Sequence, residues 1–331
     1  MDIVFHSVLN RTGAARYLRE EILRGREGLL VTWTAENDVP EGWHNVALSH
    51  GPRGRGKVAG MLWRIWVWSK QVVFVFTRCR SADTVHVNSI ANVGAIAAIA
   101  MRQRSLNVVL YAHESPVGKW LFVYRLIRSI YRGRVITVSP YMQAELSAIG
   151  IRSTWRYPRA FSTITPLHGA LPLSDVVMVA HPDESKGFGL VSQFLQELPQ
   201  AISVRLYLSR QPDKDVRFSP NVTVIIGKPL ESEDYNARIC VLATNPVSTR
   251  ETFSYITAES LSAGVPVVCA PSGGVSEQLI HLVNGYFVPE YSSRAFVDAV
   301  QLVLTDVALC AALSKGARMC NALKVLPGDA A

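Results

Sequence analysis

The sequence predicts an α/β protein made of two domains, each an open, doubly wound parallel sheet. Short apolar runs of strand length alternate with helix-length amphipathic segments almost from end to end, which is the pattern of βα units. Several runs, such as "GLLVTWT" and "NVVLYAH", are apolar at successive positions, as strands covered on both faces are. The alternation pauses once, at "RYPRAFSTITPLHGALPLS" (Arg156 to Ser174), a stretch rich in Pro, Ser, Thr and Gly, and then restarts. Domains are therefore expected at 1–160 and 175–331, with a linker at 161–174 and a hinge near residues 156–174. A chain of 331 residues suffices for two cores.

In the first half, strands are expected at "DIVFHSV", "GLLVTWT", "HNVALS", "DTVHVNS", "NVVLYAH" and "RVITVS". Helices follow at "TGAARYLREEIL", "NVGAIAAIAMRQR", "VGKWLFVYRLIRSIYR" and "PYMQAELSAIG", the last with Ser139 as its cap and Pro140 in its first turn. In the second half, strands are expected at "DVVMVAH", "SVRLYLS", "VTVIIG", "CVLATNP", "PVVCAP" and "GYFVP". Helices are expected from about Gly187, around Glu259, around Glu277 and toward the C-terminus. Ligands of such sheets bind beyond the C-terminal ends of the strands, and a crevice between two such domains is the expected site.

An apolar fraction of 49% excludes a disordered scaffold. The five cysteines, Cys79, Cys240, Cys269, Cys310 and Cys320, are scattered, with no zinc spacing, so a reducing compartment and no structural metal are expected. "MDIVFHSVLN" lacks the basic start and long apolar core of a secretory signal, and a cytoplasmic location is expected. The formal charge of +8 is uneven. Residues 1–160 hold 22 Lys and Arg against 10 Asp and Glu, a net +12, and the remainder carries −4. No acidic residue lies between Glu41 and Asp83. Such a field attracts phosphates or anionic lipid; no recognition motif accompanies it, and nucleic acid is not expected as a partner.

The longest apolar stretch, Val58 to Thr77, is interrupted by Arg64 and Lys70 before it reaches the roughly 20 residues of a spanning helix. As one helix it would carry Lys57, Arg64, Gln71 and Arg78 in a narrow polar stripe and be apolar around the rest. Burial is the expectation for such a helix. The alternative is a helix on a membrane surface, which the basic helix with Arg125, Arg128 and Arg132 would reinforce.

The chemistry is concentrated in "ETFSYITAESLSAGVPVVCAPSGG", which holds Glu251 and Glu259 eight positions apart. With a helix starting near Phe253, the two carboxylates would face one ligand at different depths, and carboxylates accept strong hydrogen bonds from sugar hydroxyls. The amides of Phe253, Ser254 and Tyr255 would lie at the helix N-terminus, where a diphosphate is well placed.

With its trailing Ala263-Gly264, Pro266-Val267-Val268, Gly273-Gly274 and Asn284-Gly285, this stretch resembles the signature of the family 4 retaining glycosyltransferases of GT-B fold. The resemblance implies two Rossmann-like domains facing across a cleft, a nucleotide diphosphate-sugar as donor substrate, and no cofactor or metal. It implies that Glu251 holds the transferred hexosyl or deoxyhexosyl group and Glu259 the ribose. "VVMVAHPDESKGFGL" is similar to the family's phosphate-gripping loop: Lys186 and Gly187 match, and His181 stands where an Arg is usual. "YAHES" places His113, with Glu114 beside it, where many relatives carry a His near the donor sugar, and Gly13 stands where the family often has two glycines. The activity so implied is sugar transfer, with retention, to a lipid-linked or polysaccharide acceptor in surface-glycan or lipopolysaccharide synthesis. The basic first domain would then sit against the inner face of a membrane. A non-catalytic relative acting as an assembly partner is the alternative.

Overall fold

A computed structural model describes residues 1–7, 13–36, 38–49, 57–80, 83–102, 106–158, 164, 172–213, 216–228, 230–247 and 250–323. The chain divides into two compact units, Met1–Ala160 and Phe161–Ala331. Most of the expected linker lies outside the described residues.

The first unit contains β1 (Asp2–Phe5), α1 (Gly13–Tyr17), β2 (Gly28–Thr34), β3 (Trp43–Ser49), α2 (Lys57–Arg78), β4 (Thr84–Asn88) and α3 (Val93–Arg102). It continues with β5 (Asn107–Ala112), α4 (Lys119–Ile130), β6 (Arg134–Thr137), α5 (Pro140–Ala148) and β7 (Thr154–Trp155). Its strands form one parallel sheet in the order β3-β2-β1-β4-β5-β6-β7. All six expected strands are present, and β7, too short to show a pattern, is added. The helix expected at "TGAARYLREEIL" is α1 running into a π-helical turn at Leu18–Leu23. Ser139 caps α5 by accepting from the Met142 amide at 3.2 Å.

The second unit contains β8 (Ser174–Ala180), α6 (Phe188–Glu197), β9 (Val204–Leu208), β10 (Val222–Ile226), β11 (Ala237–Leu242), α7 (Tyr255–Ser262) and β12 (Val267–Cys269). It ends with α8 (Val275–Gln278), β13 (Gly285–Phe287), α9 (Ser293–Thr305) and α10 (Val307–Leu323). The sheet is parallel in the order β10-β9-β8-β11-β12-β13. Its helices cover both faces, with Phe194, Phe296 and Val300 in one core cluster and Leu261, Val265 and Ala317 in the other.

Each order contains one reversal. In the first sheet the chain steps outward from β1 on one side and from β4 on the other; in the second the pair is β8 and β11. Loops leaving two such strands diverge to opposite faces and leave a crevice at their C-terminal ends. The topology therefore selects the loops after β1 and β4, and those after β8 and β11, as places for a ligand.

α2 departs from the expectation of burial all round. Gly60, Val67, Gln71 and Val75 form its buried face, packed on α3 and the sheet. The approach is close enough that a Cβ on Gly94 of α3 would stand 2.2 Å from the Trp68 carbonyl oxygen. The narrow polar stripe thus lies partly inward, because the fully buried Gln71 has specific partners: its Nε2 donates to Asn92 Oδ1 at 2.7 Å and its Oε1 accepts from the Ala95 amide at 3.1 Å. Much of the apolar circumference faces outward instead.

Candidate active site

In the second unit, β8 delivers the loop of His181 and Lys186, and β11 delivers the loop of Glu251. At the reversal point these come together: Lys186 Nζ lies 3.8 Å from Glu251 Oε1. The Lys186 ammonium is half-exposed, whereas the Glu251 carboxylate is three-quarters covered. Burial pushes the Glu251 carboxyl above its ordinary pKa, and the Lys186 charge offsets part of that rise.

Glycines fix both loops. Gly187 has φ +90°, and a Cβ there would meet the Tyr291 hydroxyl at 2.1 Å and the Ala243 carbonyl oxygen at 2.9 Å. Only a residue without a side chain lets the Lys186 loop close down on the end of β11. The amide of Gly274 donates to the Glu251 carbonyl at 2.7 Å, and a Cβ on Gly274 would fall 2.3 Å from the Thr252 oxygen. The Gly273-Gly274 turn after β12 therefore braces the backbone that carries Glu251.

Glu259 lies one turn into α7, buried, with Tyr235 donating its hydroxyl to Oε2. The helix begins at Tyr255, two residues later than expected, and the loop before it sets the direction of Glu251. The amides expected to receive a diphosphate are also corrected in part. That of Ser254 donates to Gln278 Oε1 at 3.2 Å, and Gln278 Nε2 donates back to the Ser254 carbonyl at 3.1 Å. The Ser254 hydroxyl caps α7 by accepting from the Thr257 amide. Phe253 is buried, its ring edge-on to Tyr255 at 5.3 Å between centroids.

His181 is exposed on the Lys186 loop; partial burial, then the Arg210 and Lys186 charges, hold its pKa below the ordinary value. It is a neutral hydrogen-bonding group near neutral pH, not a second cation. Arg210, which follows β9, braces this loop by donating to the Pro182 carbonyl at 3.2 Å and to Asp213 at 2.6 Å.

The remaining expected residues belong to the first unit and gather at its own reversal point. His113, just past β5, has Nε2 at 2.6 Å from Asn88 Oδ1, at the end of β4. Asn88 Nδ2 donates to His6 Nδ1 at 3.0 Å and to the Ala14 carbonyl at 2.9 Å, tying in the start of α1, which Gly13 opens. Because the amide directs its N–H groups to those two acceptors, its oxygen must accept, and the proton of His113 sits on Nε2. Burial, assisted by His6, drives the His113 pKa down to about 3, so the ring is neutral. The orienting partner is thus Asn88. Glu114 holds the next loop instead, accepting from the Ser89 hydroxyl and, at 3.3 Å, from the Ile90 amide.

Asn88→Ala is expected to cost about 2–4 kcal/mol in chemical denaturation, since it strands several buried partners at once. In the native chain, ¹⁵N chemical shifts should show His113 as the Nε2–H tautomer with no titration above about pH 5. A His113 that gains a proton near pH 6 would contradict this geometry.

Asn88, Tyr235, Gln278 and Arg210 were not singled out from sequence. A polar residue closing an apolar strand, as in "TVHVN", was the available signal for Asn88; Tyr235 and Gln278 gave none.

Residues 210–319 match the family model described as "Glycosyl transferases group 1". The match covers about a third of the chain, all of it within the second unit. A curated relative, D-inositol 3-phosphate glycosyltransferase of Jonesia denitrificans, is 31% identical over 71 residues, which are 22% of this chain and 17% of that protein. Among solved structures, HepE of Anabaena in complex with UDP-glucose is similar at a TM-score of 0.73 and 15% identity, covering 98% of this chain and 95% of that one. Sucrose-phosphate synthase of Thermosynechococcus elongatus gives 0.73 and 14%, covering 97% and 94%. WaaG, a glycosyltransferase involved in lipopolysaccharide biosynthesis, gives 0.69 and 14%, covering 98% and 96%. The fold of this chain is accordingly GT-B.

Proposed function

We propose that the protein is a retaining glycosyltransferase that moves a sugar from a nucleotide diphosphate-sugar to an acceptor hydroxyl. The observation that carries this reading is the Lys186–Glu251 pair, held at the reversal point of the second sheet by Gly187 and Gly274. A cation beside a covered carboxylate suits a donor whose diphosphate gains charge as its sugar departs. In this reading Lys186 steadies the leaving phosphate and Glu251 accepts hydrogen bonds from the transferred sugar. Glu259, aligned by Tyr235, receives the ribose. The acceptor attacks from the face the diphosphate leaves, and the departing phosphate oxygen takes its proton. His113, neutral and fixed by Asn88, serves as a hydrogen-bonding group and not as a general base.

The basic first unit favours an anionic or lipid-linked glycan as acceptor, in surface-polysaccharide or lipopolysaccharide assembly at the inner face of a membrane. Because HepE holds UDP-glucose, that donor is the first to try.

The test is thermal unfolding against nucleoside diphosphates and their sugars, repeated with Glu259→Ala and Lys186→Ala. A donor at about 100 times its Kd stabilises the native chain by about 2.7 kcal/mol, a readily measured shift. A selective shift lost in both variants supports the reading. No shift with any donor would turn it toward a non-catalytic relative.

A further inference from the structure

We propose that α2 lies in the plane of an anionic membrane, its outward apolar stripe among the lipids and its flanking cations on the headgroups. This goes beyond the donor-site reading and does not depend on it.

Opposite the face that packs on α3, α2 exposes Val58 (68%), Met61, Leu62, Ile65 (50%), Trp66, Val73 (57%) and Phe76. At 100° per residue these seven fall within an arc of about 140°, along a helix of about 33 Å. Ser69 is the only polar residue inside that arc, and its hydroxyl is turned back to donate to the Trp66 carbonyl at 2.7 Å. Thr77, at the margin, does the same to the Val73 carbonyl at 2.8 Å. The face thus offers water large apolar side chains and hydroxyls already bonded to the helix. A continuous stripe of this kind on a soluble chain marks an interface.

Charge selects the occupant. Lys70 borders the stripe with its ammonium 5.4 Å from the Trp66 ring centroid, and Arg80 is exposed just past the C-terminal end of the helix. Beyond α3, on the same side of the sheet, α4 exposes Arg125 and Arg128 alongside Phe122, and Arg132 is exposed just past its end. A two-fold contact between copies would set these cations against one another, whereas an anionic lipid surface neutralises them. Aromatic rings and long cationic side chains reaching toward headgroups are what an in-plane helix presents. Among the described residues no single helix is long and apolar enough to cross a membrane, which agrees with a helix that lies on one.

The experiment is flotation of the full chain with vesicles of phosphatidylcholine alone and with about 30% phosphatidylglycerol, at about 0.1 M and 0.5 M salt. The wild type should float with the anionic vesicles and be weakened, not abolished, by salt. Leu62→Ser, Ile65→Ser and Val73→Ser combined should lose at least about tenfold in bound fraction with an unchanged melting temperature, since all three side chains face water. Lys70→Glu should weaken flotation only at low salt. Unchanged flotation of the triple variant would overturn the proposal. So would absence of flotation, whether the chain is monomeric or forms a dimer that the triple variant dissociates. The donor-induced thermal shift, read in the same variants, keeps the two readings apart. Lost flotation with an intact shift bears on α2 alone.

Discussion

Lys186→Ala is expected to lower the rate of sugar transfer by about 10²–10³-fold while leaving the melting temperature close to that of the wild type. The two halves of this expectation have one cause. The ammonium is half-exposed and its contact with Glu251 is 3.8 Å, so the ion pair contributes little to folding. Charge on the departing diphosphate, in contrast, grows only as the sugar–phosphate bond breaks, and a cation fixed at that point acts mainly on the transition state. The loss should therefore fall on kcat more than on KM. Lys186→Arg should recover part of the rate, because the charge returns with a different geometry. A kcat within about fivefold of wild type for Lys186→Ala would remove this residue from the mechanism.

Glu251→Gln is expected to abolish most activity and, unlike a typical buried substitution, to raise stability at neutral pH. Burial raises the folded-state pKa of Glu251 above its unfolded value. Between those two pKa values the native chain binds more protons than the unfolded one, so stability falls as pH rises through the folded pKa. Wherever the carboxylate is ionised its burial is a cost that the amide avoids, and the nearby Lys186 tempers the gain. An increase in melting temperature of roughly 1–3 °C is expected for the variant at pH 7. Near pH 4, where both folded and unfolded forms are largely protonated in the wild type, the difference should shrink. A Glu251→Gln protein less stable than wild type at pH 7 would show that the carboxylate has native partners that outweigh its burial.

The elements of both sheets were legible because their signals are local. "GLLVTWT" reads as a strand from seven consecutive residues, and it is β2 over Gly28–Thr34. The loop glycines and the pairing of Lys186 with Gly187 were legible for the same reason, since the Lys186 loop is a run of neighbours in sequence. The helix carrying Glu259 was expected from near Phe253 and starts two residues later. Ser254 supplies the cap, so α7 starts after it and Glu251 is left in the loop.

The sequence alone determined that strands alternate with helices, that the first half is basic, and that one loop presents a lysine and another a carboxylate; each follows from residues adjacent along the chain. Only the tertiary structure decided which of these meet. The strand order, which no local pattern encodes, brings His113 to Asn88 across 25 positions and Tyr235 to Glu259 across 24. It also decided which side of α2 faces the sheet. A helical period defines stripes but not their direction, and here Gln71 is drawn inward by Asn92 and the Ala95 amide, which turns the apolar side out.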